Sequence, residues 1–305
     1  MPVDPCFDDL LSDPRNTVRP PPAHVPLARV RAAADAAMAQ GDAPAMASVR
    51  DDAMPCGTHH VPVRHYRPTD AAALPAILFC HGGGFVWGSI ETHDGLCRRL
   101  AAATGAAVAS VGYRLAPETP FPGPVEDARA ALRHLAGADG IDGGALALCG
   151  DSAGAAICAS LAKLAPRDGI ALRHLALLYP ALDPACDTPS QHALADGPLL
   201  TRDAMRWFWS AYLGDAEPGD DRLPLHPAGL EHLPPTIIAT AEFDPLRDEG
   251  AALAERLRAL GTDVVLRCVP GMVHGFLSLP AASPVADAAM HEVHARLRTA
   301  LAGRS

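Results

Sequence analysis

Gly150-Asp151-Ser152-Ala153-Gly154 comes straight after an apolar run, Ala145-Leu146-Ala147-Leu148-Cys149, and opens a stretch of small residues with helical character. A strand that turns into a helix across G-x-S-x-G has the form of a nucleophile elbow. The turn is so sharp that a Cβ at Gly150 or Gly154 would collide with neighbouring backbone, so both positions require glycine. Ser152 is expected in a strained conformation that lifts its hydroxyl clear of the sheet edge. Because G-x-S-x-G also arises by chance, the rest of the chain has to supply the context.

The chain has 305 residues, 49% hydrophobic and 20% charged, enough for one large α/β domain with a small added subdomain. A formal charge of -10 argues against a nucleic-acid partner and offers nothing to an anionic membrane. No run approaches the length of a membrane-spanning helix. The acidic, Pro-containing start, Met1 to Asp9, is the opposite of a basic region followed by an apolar one, so a cytoplasmic protein is expected. Eight cysteines (Cys6, Cys56, Cys80, Cys97, Cys149, Cys158, Cys186 and Cys268) are scattered without C-x-x-C and read as small buried hydrophobes. His291-Glu292-Val293-His294 falls one residue short of the H-E-x-x-H zinc spacing and reads as a solvated helix face. With no other cluster at ligand spacing, neither a metal nor a cofactor is expected.

Residues 1–45 stand apart as an N-terminal cap segment. Pro20-Pro21-Pro22 leads into an Ala-rich amphipathic helix from Val25 to Met38, closed by Gly41. Residues 46–305 form the main domain, in which strands alternate with helices from about residue 57. Strands are expected at His60–Tyr66, Ala76–Cys80, Ala107–Val111, Ala145–Cys149, Leu175–Tyr179, Thr236–Thr240 and Val264–Val269. Helices are expected at 94–104, 124–136, 153–165, 248–260 and 285–301. Such alternation implies a mostly parallel central sheet with helices on both faces. A second cap segment, at about 185–215, interrupts it. There Met205, Phe208, Trp209, Tyr212 and Leu213 recur at helical spacing, as core packing or as a cap helix over a pocket.

His81-Gly82-Gly83-Gly84 follows the apolar strand ending at Cys80. Glycines there let the backbone turn back and point N–H groups outward with no side chain in the way. Beside an elbow serine this makes an oxyanion hole, with donors from Gly83, Gly84 and Ala153 aimed at charge that develops only in a tetrahedral intermediate. A serine hydroxyl also needs a base, and the base an orienting carboxylate. Asp244 follows the strand at 236–240 and His274 follows the strand at 264–269, in the order serine, acid, base. With 14 histidines in the chain, His274 is favoured by its loop position and its flanking glycines. Asp248 in the same run reads as the cap of the next helix.

HGGGFVWGS (81–89), YRLAPETPFP (113–122), GDSAG (150–154), DPLRDEG (244–250) and HGF (274–276) together resemble the hormone-sensitive-lipase-like family of bacterial esterases, in its GDSAG branch. The resemblance spans about residues 57–303 and implies the α/β-hydrolase fold with a small helical cap. It implies Ser152 as nucleophile, Asp244 as acid, His274 as base, and Gly83, Gly84 and Ala153 as oxyanion hole. It gives Glu118 and Asp127 a structural role beside the site. Ala155 departs from a frequent family glycine and is expected to pack slightly closer to the sheet. The activity expected is hydrolysis of short- to medium-chain carboxylic esters through an acyl-enzyme, on a small-molecule ester. An amidase or transacylase using the same triad, or a non-catalytic receptor on this fold, stays open, as does a homodimer. The substrate pocket is expected to include Trp87, Asp151, Met205, Phe208 and Trp209, and its bulky aromatics favour short to medium acyl chains.

Overall fold

Apolar runs bounded by loops build the centre of the sheet. The computed structural model describes residues 2–38, 43–216, 219–278 and 283–302. Its strands are β1 (Ser48–Cys56), β2 (His59–Arg67), β3 (Leu74–Cys80), β4 (Ala107–Val111), β5 (Ile141–Asp151), β6 (Leu172–Leu178), β7 (Thr236–Phe243) and β8 (Val264–Val273). They form one open eight-stranded sheet in the order β1-β2-β4-β3-β5-β6-β7-β8. The first two strands run antiparallel, and every pairing from β4 to β8 is parallel. This is the mostly parallel sheet expected from the alternation, in the α/β-hydrolase arrangement that the family resemblance implied.

The helices are α1 (Asp8–Ser12), α2 (Leu27–Met38), α3 (Asp94–Thr104), α4 (Gly123–Ala136), α5 (Ala153–Leu164), α6 (Pro189–Ala193), α7 (Arg202–Leu213), α8 (Arg247–Ala259) and α9 (Pro284–Leu301). Along β3 successive side chains feed different cores. Ala76, Leu78 and Cys80 pack with α4, α5 and α8, whereas Ile77 and Phe79 pack with α3 and α9. Burial on both faces explains why the central strands read as continuous apolar runs.

β1 was not foreseen. It is an edge strand whose residues are mostly exposed, and its Arg50-Asp51-Asp52 run hides the alternation while guarding the edge. The predicted helix of the N-terminal segment is α2, and Gly41 lies outside the described residues. The insertion between β6 and β7 carries α6 and α7. α7 starts where the Thr201 hydroxyl accepts the Ala204 N–H. The same insertion is stitched to the N-terminal segment, since Val18 N–H donates to Leu199 O at 2.6 Å and Thr201 Oγ1 donates to Val18 O at 2.8 Å.

Three expectations are corrected. Asp248 does not cap α8. The helix begins at Arg247 behind Leu246, and Asp248 lies in its first turn, accepting the Ser190 N–H at 2.8 Å. His294 is not solvated but lies on the buried face of α9, with neither ring nitrogen partnered among the described residues. Cys268 is exposed rather than buried, and Cys6 and Cys56 are only partly buried. No helix among the described residues is long and apolar enough to cross a membrane.

Candidate active site

Ser152 occupies the turn between β5 and α5 at φ 51°, ψ -119°, a left-handed conformation costly for any side chain. The turn is held shut by the Ser152 N–H donating to Leu178 O at 2.8 Å. A Cβ on Gly150 would come within 2.6 Å of Gly154 O, and one on Gly154 would run into Cys80 O, so β3, β5 and α5 meet only through glycine. His274 stands just beyond β8, with Nε2 3.0 Å from Ser152 Oγ and Nδ1 2.7 Å from Asp244 Oδ2. Asp244, at the end of β7, is fully buried, and its other oxygen accepts the Leu246 N–H at 2.9 Å. A buried carboxylate at Nδ1 places the imidazole proton there and leaves Nε2 free to accept from the serine. Three side chains far apart in the chain thus form one hydrogen-bonded line.

The Gly82–Gly84 loop lies against this line. Asp151 Oδ1 accepts the Gly82 N–H at 2.8 Å, and a Cβ on Gly82 would lie 2.5 Å from Asp151 Oδ2. Gly83 and Gly84 have φ of 116° and 59°, and a Cβ on either would strike Trp87 O or the Phe208 ring. Among the described residues, the N–H groups of Gly83, Gly84 and Ala153 have no protein acceptor. Behind the loop, His81 stacks on Tyr113 at 4.3 Å, and the Tyr113 hydroxyl donates to His81 O at 2.6 Å. Burial pushes the His81 imidazole down to about 4, so it stays neutral.

Asp151 is buried yet charged. Burial raises its pKa, but His93, 3.3 Å away, and the Gly82 N–H outweigh that and hold the carboxyl below its ordinary value. Its Oδ2 also accepts from the Ser278 hydroxyl at 3.3 Å. Ser278 Oγ lies 2.6 Å from the Tyr179 hydroxyl, and the Tyr179 ring stands edge-on to His274 at 5.0 Å. One carboxylate therefore ties the glycine loop to the segment that carries His274.

A cavity of about 370 Å³ opens over Ser152. Its walls include Val30 and Ala34 of α2 and Met205 and Phe208 of α7, besides Trp87 and Asp151. Trp209 is not part of that wall. It points the other way along α7 and packs on Phe85 at 5.0 Å and Tyr212 at 5.8 Å. One helix turn cannot aim both Phe208 and Trp209 at the same cavity.

Sequence reasoning passed over Tyr179 and His93, which were no more than a strand end and a helix start. A tyrosine at the carboxyl end of the strand next to the elbow was the available signal. Glu118 pairs with Arg31 of α2, and Asp127 takes Arg114 and His59, so both acids serve as anchors, and neither lines the cavity over Ser152. Contrary to the expectation of scattered ligand types, Cys56, His59 and Asp127 converge, with their ligand atoms within 4.8 Å of one another.

Residues 77–278 match a family described as having the alpha/beta hydrolase fold. The carboxylic ester hydrolase LipN of Mycobacterium tuberculosis is 43% identical over 244 residues, which take in 76% of this chain and 65% of that protein, a little under two thirds of its length. The ethyl acetate hydrolase of Pseudomonas putida is 39% identical over 75% of each chain. Among solved structures, the hyperthermophilic esterase of the archaeon Pyrobaculum calidifontis superposes with a TM-score of 0.88 at 35% identity, over 98% of this chain and 99% of that one.

Proposed function

The chain belongs to the α/β-hydrolase family, in its hormone-sensitive-lipase-like group, and from that premise we propose that it is a serine carboxylesterase for short- to medium-chain esters. The observation that carries the reading is the continuous line Ser152–His274–Asp244, at 3.0 and 2.7 Å, beside three unengaged N–H groups. Ser152 Oγ attacks the ester carbonyl while His274 Nε2 takes its proton. The oxyanion is received by the N–H groups of Gly83, Gly84 and Ala153. His274 then gives the proton to the departing alcohol, and a water activated by the same nitrogen hydrolyses the acyl-enzyme. Asp244 keeps the ring oriented and stabilises the imidazolium.

Acyl length follows from the walls. Residues 1–45 and about 185–215 act together as a cap, closing the cavity with Val30, Met205 and Phe208, whose ring stands edge-on to Trp87 at 4.5 Å. Each methylene that finds room gains about 0.8 kcal/mol, and none is gained once the wall is met. A relative named for ethyl acetate hydrolysis supports the short end of this range. The test is Ser152→Ala assayed on chromogenic esters of graded length. Turnover should fall by about a million-fold, by subtilisin precedent, with covalent labelling by an organophosphonate abolished. A variant that still forms the adduct would overturn the assignment of the nucleophile.

A further inference from the structure

Away from the cavity, the turn that joins β1 to β2 sets two metal-binding side chains side by side. Cys56 and His59 are cross-strand partners flanking Gly57-Thr58, and Gly57 takes a φ of 58° to let the chain reverse in two residues. Both side chains approach Asp127 of α4. His59 Nε2 is 2.8 Å from Asp127 Oδ1 and Cys56 Sγ is 4.0 Å from the same oxygen. None of the three residues lines the cavity over Ser152, and the ester chemistry does not use them.

We propose that Cys56, His59 and Asp127 form a site for a soft divalent cation, zinc being the best fit, that clamps the β1–β2 turn to α4. Thiolate, imidazole and carboxylate are the donor types zinc takes, and three of them with a water complete its tetrahedron. Bond lengths of ~2.0–2.3 Å put ligand atoms about 3.3–3.8 Å apart. The nitrogen and oxygen therefore have to separate by about half an ångström, and the sulfur has to close in by about half an ångström on the oxygen while also approaching the nitrogen, which lies within 4.8 Å of it. Both shifts are within reach of side chains on a two-residue turn. Cys56 and His59 are partly exposed, which leaves an entry path and room for the water.

Arg114 is the competing cation. Its Nε and its backbone N–H donate to Asp127 Oδ2 at 2.8 and 2.9 Å, and its Nη2 donates to Oδ1 at 2.8 Å. The cation would take Oδ1 and leave both Oδ2 bonds in place, so Asp127 keeps its anchor. The guanidinium charge lowers affinity relative to a site whose carboxylate has no competing cation. On binding, the Cys56 thiol gives up its proton to solvent, the proton held between His59 Nε2 and Asp127 Oδ1 passes to Nδ1 or to solvent, bonds from the metal to sulfur, nitrogen and oxygen replace that hydrogen bond, and no redox change occurs.

Cobalt(II) tests this directly, because a thiolate bound to it produces a near-ultraviolet charge-transfer band and tetrahedral coordination produces strong visible bands. The full chain, stripped with chelator, is titrated with Co(II) and then Zn(II), alongside Cys56→Ser and His59→Ala. The wild type should show one cobalt per chain with a thiolate band that zinc displaces, and zinc should raise its Tm. Cys56→Ser should lose the band, and His59→Ala should keep the fold but bind at least tenfold more weakly. Esterase activity of the stripped protein should be unchanged, confirming that each variant is folded. No thiolate band in the wild type, or an equal band in Cys56→Ser, overturns the site; the second result would place the metal on another cysteine, such as the exposed Cys268.

Discussion

Arg31 of α2 grips Glu118 through two hydrogen bonds, at 2.8 and 2.6 Å, and with the same guanidinium bonds the carbonyls of Val86 and Ala116. Glu118 is well exposed, with 59% of its side chain accessible, so the ion pair as such contributes only about 0–1 kcal/mol. The two carbonyl contacts matter more, because Val86 lies in the turn that follows Gly83 and Gly84. Glu118→Gln should therefore change stability by less than about 1 kcal/mol, whereas Arg31→Ala should cost about 1–3 kcal/mol. Arg31→Ala should also raise KM more than it lowers kcat, since α2 walls the cavity. Equal effects of the two substitutions in denaturation and kinetics would disprove this division.

Asp244 and Asp248 belong to one motif but do different work. Asp244→Asn removes the acceptor for His274 Nδ1 and should lower kcat by about ten-thousand-fold, as in the serine protease case. Asp248→Asn disturbs only the contacts to Ser190 and Arg247 and should leave kcat within a few-fold. Circular dichroism of both variants separates lost chemistry from lost fold. The reverse ranking would mean that the acid has been misassigned.

Gly84 and Phe208 should be energetically coupled. A Cβ on Gly84 meets the Phe208 ring, so Gly84→Ala should reduce kcat by about a hundred-fold or more through displacement of the loop. Adding Phe208→Ala makes space and should return part of that loss, leaving the cost of φ 59° for alanine. A double-mutant cycle on a short ester measures this, and strict additivity would refute the contact.

Widening the cavity should change substrate preference. Trp87→Ala and Phe208→Ala each remove a ring from the wall and should move the acyl optimum toward longer chains. Wild-type turnover of long-chain triglyceride above that of short soluble esters would contradict the closed-pocket reading but leave the triad assignment intact.

Stability should fall on both sides of a mildly acidic optimum. Burial holds His81, His174 and His294 at about 4, against an ordinary value of 6.5. Between those values the unfolded chain binds protons that the native state refuses. Their contribution is complete above pH 6.5 and is lost as pH falls toward 4, on the order of 3 kcal/mol each if fully realised. Glu249 has the opposite sign. Burial raises it from 4.5 to about 8, against the donors Gln191, Leu182 and Asp183, so its contribution is complete below pH 4.5 and is lost as pH rises through 8. Urea midpoints from pH 4 to 9 should show both limbs. His174→Leu should flatten the acid limb and Glu249→Gln the alkaline one, and unchanged limbs would refute the assignment.

Gly150, Ser152 and Gly154 announced their geometry because a turn that tight excludes every other backbone choice, and the apolar runs before Gly150 and Asp244 announced parallel strands because both their faces are buried. Local chemistry of that kind is readable from neighbours in the chain. Tertiary structure alone decided the rest. Trp209 and Phe208 are adjacent in sequence, and only the seating of α7 sends one into the core and the other to the cavity. β1 is a strand because β2 pairs with it, against its own polar composition. Arg31, Tyr179 and His93 reach the site from separate elements, Asp248 bonds the first turn of α6 instead of capping α8, and Cys56, His59 and Asp127 meet across 71 residues of chain. Hydrogen bonds and packing between distant segments depend on where each element docks, and docking is settled by the burial of whole faces rather than by any short stretch of sequence.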